Sequence, residues 1–177
     1  MPARSKPKPP PIAESAPIPT SRRMRLPKIY GTPATGKLRT WSHIDQRLRE
    51  AMHYWISTVD RHGRAHATPV DGIWMGGLLY FGGDPGTQRQ RNLRRNPAAC
   101  IHLESADDVV IVHGMATTLT HVDLTLAKKL SAASKAKYGY GPTPEMYQAS
   151  AISVLRPEVA FAWTDLTKDP TRFTFDA

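Results

Sequence analysis

The sequence predicts a mainly β fold, a closed antiparallel barrel with peripheral helices, and three observations lead there. About six runs of β-branched and aromatic residues recur at short spacing between turn sequences, one amphipathic helical stretch precedes them, and further helical stretches are inserted between them.

The first helix is expected near Ser42, which can cap it with Asp45 three residues on, while Ile44, Leu48, Ala51 and Met52 fall on one face. Tyr54–Val59 then turns β-branched and aromatic, and Asp60-Arg-His-Gly63 is a turn sequence. A second strand is expected from Arg64 to about Trp74, turning at Met75-Gly76-Gly77 and returning through Leu78–Phe81. Gly82-Gly-Asp-Pro-Gly-Thr87 breaks that strand. Gln88–Arg95 follows with the composition of a short basic helix stopped by Asn96-Pro97. Strand character resumes at Ala98–Leu103 and, after a Ser105–Asp108 turn, is strongest in Val109–Thr118. Asp123 to about Lys137 reads as a helix carrying Leu124, Ala127, Leu130 and Ala133, and the glycines and prolines from Tyr138 to Pro144 read as a loop. Val154–Trp163 and Arg172–Phe175 supply the last strands. No internal repeat is present.

A length of 177 residues with 40% hydrophobic and 22% charged residues fits one globular domain, and no apolar run is long enough to span a bilayer. The single cysteine, Cys100, excludes an internal disulfide and suits a reducing, cytoplasmic setting. The net charge of +9 is uneven: residues 1–50 hold 11 Lys/Arg against three acids, and residues 51–177 hold 13 against 12. Nine of the 16 prolines also fall within the first 33 residues. Residues 1–37 are therefore expected to form a disordered or loosely draped basic tail, and 38–177 the folded domain. No apolar stretch of signal-peptide type follows the tail's charges. Nucleic-acid binding through the tail is a lower alternative, because the domain has little net charge of its own and no basic, aromatic stripe.

Most standard catalytic patterns are missing. Gly31-Thr-Pro-Ala-Thr-Gly36-Lys37 has the spacing of a phosphate loop, but Leu38 stands where a hydroxyl is needed for magnesium. Gly-x-Ser-x-Gly is absent, and Cys100 sits in an apolar strand as a structural thiol. The seven histidines include no pair at metal-binding spacing on a helix, so no metal is expected. His66 reads as an exposed hairpin residue and Asp107-Asp108 as a solvated turn. No catalytic side chain is assigned.

The informative feature is an ordered set of pieces. Gly63-Arg64-Ala-His66-Ala-Thr68-Pro69-Val70 is followed by a hairpin ending in Leu79-Tyr80-Phe81, a glycine-containing loop, and then Arg89-x-Arg91-Asn92-Leu93-x-x-Asn96-Pro97. Over about residues 41–177 this resembles the pyridoxamine 5'-phosphate oxidase-like split β-barrel superfamily, and within it the flavin/deazaflavin-dependent oxidoreductase branch. The resemblance implies an FMN-binding-like split barrel that forms a homodimer, with the cofactor across the dimer interface and hydride passing directly between its ring and a small organic substrate. It implies cofactor contacts from Thr68, Pro69, Val70, Asp71, Gly72 and Ile73 along the ring and from Trp74, Phe81 and Gly82 beside it. Thr87, Gln88, Arg89, Arg91 and Asn92 would lie toward the phosphate. Gln88, where the vitamin B6 oxidases carry arginine, and the short Thr171–Phe175 ending argue against pyridoxamine phosphate chemistry. Of the two cofactors implied, the deazaflavin F420 is favoured over FMN, because Arg89, Arg91, Arg94 and Arg95 offer a basic groove for its acidic tail. A noncatalytic cofactor-binding or sequestering protein is the alternative reading. The expected homodimer would cover apolar strands bearing Trp74, Phe81 and Trp163.

Overall fold

The computed structural model describes residues 18–30 and 35–176. In chain order these form β1 (Thr20–Arg23), a 3-10 turn (Lys28–Tyr30), α1 (Trp41–Glu50), β2 (Tyr54–Val59), β3 (Ala65–Val70), β4 (Gly72–Met75) and β5 (Leu78–Phe81). There follow α2 (Gln88–Arg95), β6 (Ala98–His102), β7 (Val109–Leu119), α3 (Leu124–Tyr138), α4 (Pro144–Ala149), β8 (Ile152–Trp163) and β9 (Thr171–Thr174). None of these helices is long and apolar enough to cross a membrane.

The strands pair antiparallel in the order β1-β9-β8-β7-β6-β2-β3, with β5 also bonded to β8 and β4 to β5. β8 is where the sheet divides. One of its edges carries β7 from Val109↔Trp163 to Leu119↔Ile152, and the other carries β5 opposite Ser153–Leu155 and β9 opposite Val159–Ala162. The expected closure of the barrel does not occur. β3 and β4 are separated only by Asp71, yet each pairs elsewhere, so the single strand expected from Arg64 to Trp74 is two and a seam runs between them. Pro69, which lacks a ladder donor, is tolerated because β3 is an edge strand. The β7–β8 ladder shifts between His113 and Gly114, opposite Pro157. A Cβ at position 114 would lie 2.0 Å from the Arg156 carbonyl oxygen, so glycine is required there.

Period-two burial in β2, β6 and β7 sends Tyr54, Ile56, Ile101, Val110 and Val112 inward, where Leu79, Leu155 and Phe173 meet them and Ile44 and Leu48 of α1 cover one end. Each such side chain contributes roughly 1.5–3 kcal/mol of burial. A second cluster packs Leu126, Ala127 and Leu130 of α3 against Ile73, Leu78, Tyr80, Ile152 and Val154. This joins α3 to the β4–β5 hairpin.

Local details depart from expectation in five places. Ser42 lies inside α1, whose cap position is Thr40, and its hydroxyl only reaches Thr40 Oγ1 at 3.3 Å. Met52 falls beyond the end of α1 and is exposed. An unanticipated helix, α4, follows the late loop and is announced by Thr143-Pro144: the threonine hydroxyl accepts from Met146 N, and proline occupies the first helical turn. Finally, part of the segment expected to be tail is ordered. β1 pairs with β9 from Thr20↔Thr174 to Arg23↔Thr171, Met24 N donates to Pro170 O at 2.9 Å, and Arg23 donates to the carbonyls of Lys168 and Gly36. Residues 1–17 and 31–34, with most of the Gly31–Lys37 motif, lie outside the described residues. Asp108, expected in a solvated turn, anchors the chain entering α1 through Arg39 at 2.9 Å and through Arg47.

A chain beginning at residue 18 and one beginning at residue 38 should therefore differ in stability. The shorter one loses the β1–β9 ladder and is expected to be weaker by on the order of 1–3 kcal/mol in urea unfolding. Equal midpoints would show that β1 contributes nothing.

Candidate functional site

α2 is short and strongly polar, yet Arg89, Gln90, Asn92 and Leu93 are all buried. Thr87 caps it: its hydroxyl accepts from Gln90 N and donates to Asp84 O. The buried polar groups find partners in distant strands. Asn92 Nδ2 donates to Thr58 Oγ1 at 3.0 Å and receives Gln88 Nε2 on its Oδ1 at 2.7 Å. Gln90 Nε2 donates to Ser153 Oγ at 3.0 Å. Arg89 donates from one terminal nitrogen to Thr68 Oγ1 at 3.2 Å and from the other to Gly82 O at 2.9 Å, with its guanidinium 5.7 Å from the Phe81 ring centre. Its Nε is buried and without a partner among the described residues, and burial lowers its pKa from the ordinary guanidinium value. An unpaired cationic donor at a helix N-terminus suits an anion.

Beside α2 the β2–β3 turn closes a basic groove of about 440 Å³, in which Arg61 and Arg64 face Arg91 and Arg95. Asp60, the acid of this groove, accepts from the backbone of His62 and Arg64, and its carboxyl is held low chiefly by the Arg64 N–H. Arg91 is exposed and bonded to Gln88 Oε1 and Gly86 O, whereas Arg94 is directed to Pro85 O. Sequence reasoning missed Arg61 and Arg64. Their signal was the spacing of two cations across a turn, which acquires meaning only when α2 lies opposite.

At the seam, the backbone of Gly72 is held by the end of α3. Tyr138 Oη accepts from Gly72 N at 2.9 Å, and Lys137 Nζ donates to Gly72 O and to Tyr54 Oη, both at 3.0 Å. Burial pushes Lys137 down to about 8, opposed by the charge of Asp71, and pushes the Tyr54 hydroxyl up. Asp71 is exposed and lies 3.0 Å from His53 Nδ1. On the far side of the seam a cavity of about 240 Å³ opens among Gly72, Tyr80, Phe81, Tyr138 and Tyr147.

The structure thus brings Thr68, Phe81, Gly82 and Arg89 into one cluster, with Thr87 capping the start of α2, Gln88, Arg91 and Asn92 on the adjoining groove and Asp71, Gly72 and Ile73 at the seam. Pro69 is exposed on β3, while Val70 is buried in the core. Trp74 is turned away from this cluster: it is 4% exposed, packs on Trp41 and donates to Asp45 Oδ1 at 2.7 Å. His66 is half-buried, its Nδ1 unpaired among the described residues. Cys100 is partly buried, with its thiol pKa raised by burial. Among the described residues no three His, Cys, Asp or Glu side chains converge as a metal site.

The family model described as pyridoxamine 5'-phosphate oxidase matches residues 41–164. Among solved structures, an F420 reductase superposes with a TM-score of 0.52 at 20% identity, covering 66% of this chain and 94% of that one. A conserved hypothetical protein from Mycobacterium tuberculosis gives 0.61 at 14% identity, over 75% and 89%. A protein related to general stress protein 26, of the pyridoxinephosphate oxidase family, from Clostridium acetobutylicum gives 0.56 at 12%, over 75% and 92%. At such identities the likeness is one of fold. No curated protein matches the chain.

The buried amine at the seam has a pH signature. Between about 8 and the ordinary lysine value of 10.5 the unfolded chain binds more protons at Lys137 than the folded one, so the contribution of this group to stability rises with pH there. The cost of burying its charge is fully present below about 8. Because Cys100 and the buried tyrosines act in the opposite sense, the comparison is with Lys137→Met. The stability of the parent relative to this variant should increase between about pH 7 and about pH 9.5 in urea unfolding, and a constant difference would show an unshifted amine.

Proposed function

Because the chain belongs to the pyridoxamine 5'-phosphate oxidase family, we propose that it binds a flavin-type cofactor, F420 in preference to FMN, and acts as an oxidoreductase on a small organic substrate. The observation that carries this reading is the Arg89 cluster. One buried guanidinium ties the edge strand, the loop after β5 and the capped end of α2 together, and still has an unpaired donor. These residues fit a planar cofactor bearing a phosphate. Arg89 and Thr87 would hold the phosphate, and the unpaired edge of β3 from Thr68 toward Asp71 would offer backbone donors and acceptors to the ring. When bound, the cofactor supplies hydride transfer, which requires no side-chain nucleophile. The work of the chain is to bind, orient and neutralise charge. The preference for F420 is supported by the groove of Arg61, Arg64, Arg91 and Arg95, which extends beyond what one phosphate needs and suits an acidic tail.

A second copy of the chain is proposed to cover the outer face of β3, β2, β6 and β7. Trp74 and Phe81, 4% and 2% exposed, already lie in the core of their own subunit and need no partner. The open face instead shows Trp55, Val59 and Met115, each more than a third exposed, with Trp55 stacked on His102 at 6.2 Å beside the exposed Ala65, Ala67 and Pro69.

Fluorescence titration of the full chain should show saturable binding of F420, and of FMN more weakly. Arg89→Ala should weaken both by ~1.5–3 kcal/mol, about ten- to 150-fold. It should also lower stability, because the Thr68 and Gly82 bonds go with it. Joint replacement of Arg91 and Arg95 by alanine should weaken F420 selectively. If neither cofactor binds saturably, the reading is wrong. Light scattering should report a dimer that Trp55→Asp converts to monomer, and a monomeric parent at micromolar concentration would remove the second copy.

A further inference from the structure

We propose that the cavity between the β4–β5 hairpin and the α3–α4 pair binds a neutral, planar aromatic molecule of one or two fused rings. That this ligand is the substrate rests on the oxidoreductase reading above; that it binds does not.

Size comes first. A volume of about 240 Å³ exceeds the ~150 Å³ of a cavity that holds benzene, and falls short of the ~300–1,000 Å³ of sites for drug-sized ligands. The walls are aromatic, with Tyr80, Phe81, Tyr138, Tyr140 and Tyr147 among them, and flat rings favour flat ligands. Charge is the third constraint. Among the described residues no lysine or arginine lines the cavity; Lys137, next to the wall residue Tyr138, spends its amine on Tyr54 and Gly72, and Lys135, next to Ser134, is exposed. Among the described residues the one charged lining residue is Asp71, which is exposed beside His53 and repels anions. A phosphate or carboxylate would find nothing here to neutralise it, in contrast to the arginine groove beside α2.

The fourth observation is a hydrogen-bonding group awaiting a partner. Tyr80 is only 4% exposed, and its hydroxyl has no partner among the described residues, burial alone accounting for its raised pKa. That hydroxyl is not closed off from its surroundings, so a ligand oxygen or nitrogen in the cavity can reach it as a hydrogen-bond partner. Ser134 Oγ and Tyr147 Oη, 2.8 Å apart with either able to donate, form a second polar edge. The place of the cavity also matters. Asp71, Gly72, Ile73, Phe81 and Gly82 line it and belong to the strand and loop proposed to hold the cofactor, and the Gly82 carbonyl accepts from Arg89. A ring bound here lies across the seam from that cofactor strand.

The test uses the whole 177-residue chain and two probes, 2-naphthol and 2-naphthyl phosphate, followed by calorimetry without added cofactor and again with saturating FMN. Saturable naphthol binding at one per chain is expected, with the phosphate ester at least about tenfold weaker. Tyr80→Phe should weaken naphthol by about three- to tenfold, the loss of one hydrogen bond, while circular dichroism and thermal unfolding report an intact fold. Tyr147→Ala, on the outer wall, should weaken it independently. Naphthol binding should survive saturation with FMN. Competition between the two would place the cofactor ring in this cavity and overturn the inference, as would equal affinity for the ester or no naphthol binding. Naphthol binding by a chain that takes up neither F420 nor FMN would uphold the cavity while refuting the cofactor reading.

Discussion

Gly72 is the point on which the two halves of this fold depend. The chain leaves the β2 ladder at Val70, crosses Asp71 and joins β5 as β4, so the peptide groups at the crossing cannot all be satisfied by neighbouring strands. Tyr138 and Lys137, some 66 residues further on, supply the missing partners. A side chain at position 72 would be crowded: a Cβ on Gly72 would come within 2.9 Å of Leu79 Cδ1 and 3.1 Å of the Tyr80 carbonyl oxygen, so its neighbours would have to shift. The seam created there leaves one edge of β3 unpaired on one side and the tyrosine-lined cavity on the other. Both candidate ligand regions are consequences of one incomplete ladder.

α2 shows the complementary device. A helix this polar gains little from hydrophobic burial, and its inward face is held by side-chain hydrogen bonds to Thr58, Thr68 and Ser153 on three different strands. A buried polar group costs about 1–3 kcal/mol when unpaired, so these bonds determine the orientation of the helix. With Arg89, Gln90 and Asn92 locked inward, Arg91 and Arg95 are left on the outer face opposite Arg61 and Arg64. Charge is thereby sorted by depth, with one cation inside and four around an open groove. A separate cluster, Arg39 and Arg47 on Asp108, fixes the entry of the chain into α1 at the other end of the molecule.

Much of the local structure was legible in the sequence because its causes are local. The β7 strand, the Asp60–Gly63 and Gly76–Gly77 turns and the helices α2 and α3 each depend on residues within a few positions of one another. The Thr143-Pro144 signal of α4 was equally local and was passed over among the loop residues. The Arg-x-Arg-Asn-Leu-x-x-Asn-Pro pattern and the strands before it likewise carried the family resemblance, and Arg89 with it.

What the sequence by itself determined was therefore the succession of strands and helices from α1 onward apart from α4 and the break at Asp71, the basic character of α2 and the family. Only the tertiary structure decided that the barrel stays open at Asp71, that Thr20–Arg23 extends the sheet on β9, and that Trp74 faces Asp45 rather than the site. It alone paired Arg61 and Arg64 with α2 and Lys137 with Gly72. The physical reason is range. Propensity, capping and periodicity act over a few residues, whereas the pairing of an edge, the direction of a buried aromatic and the partner of a buried cation are set by contacts between segments tens to more than a hundred residues apart.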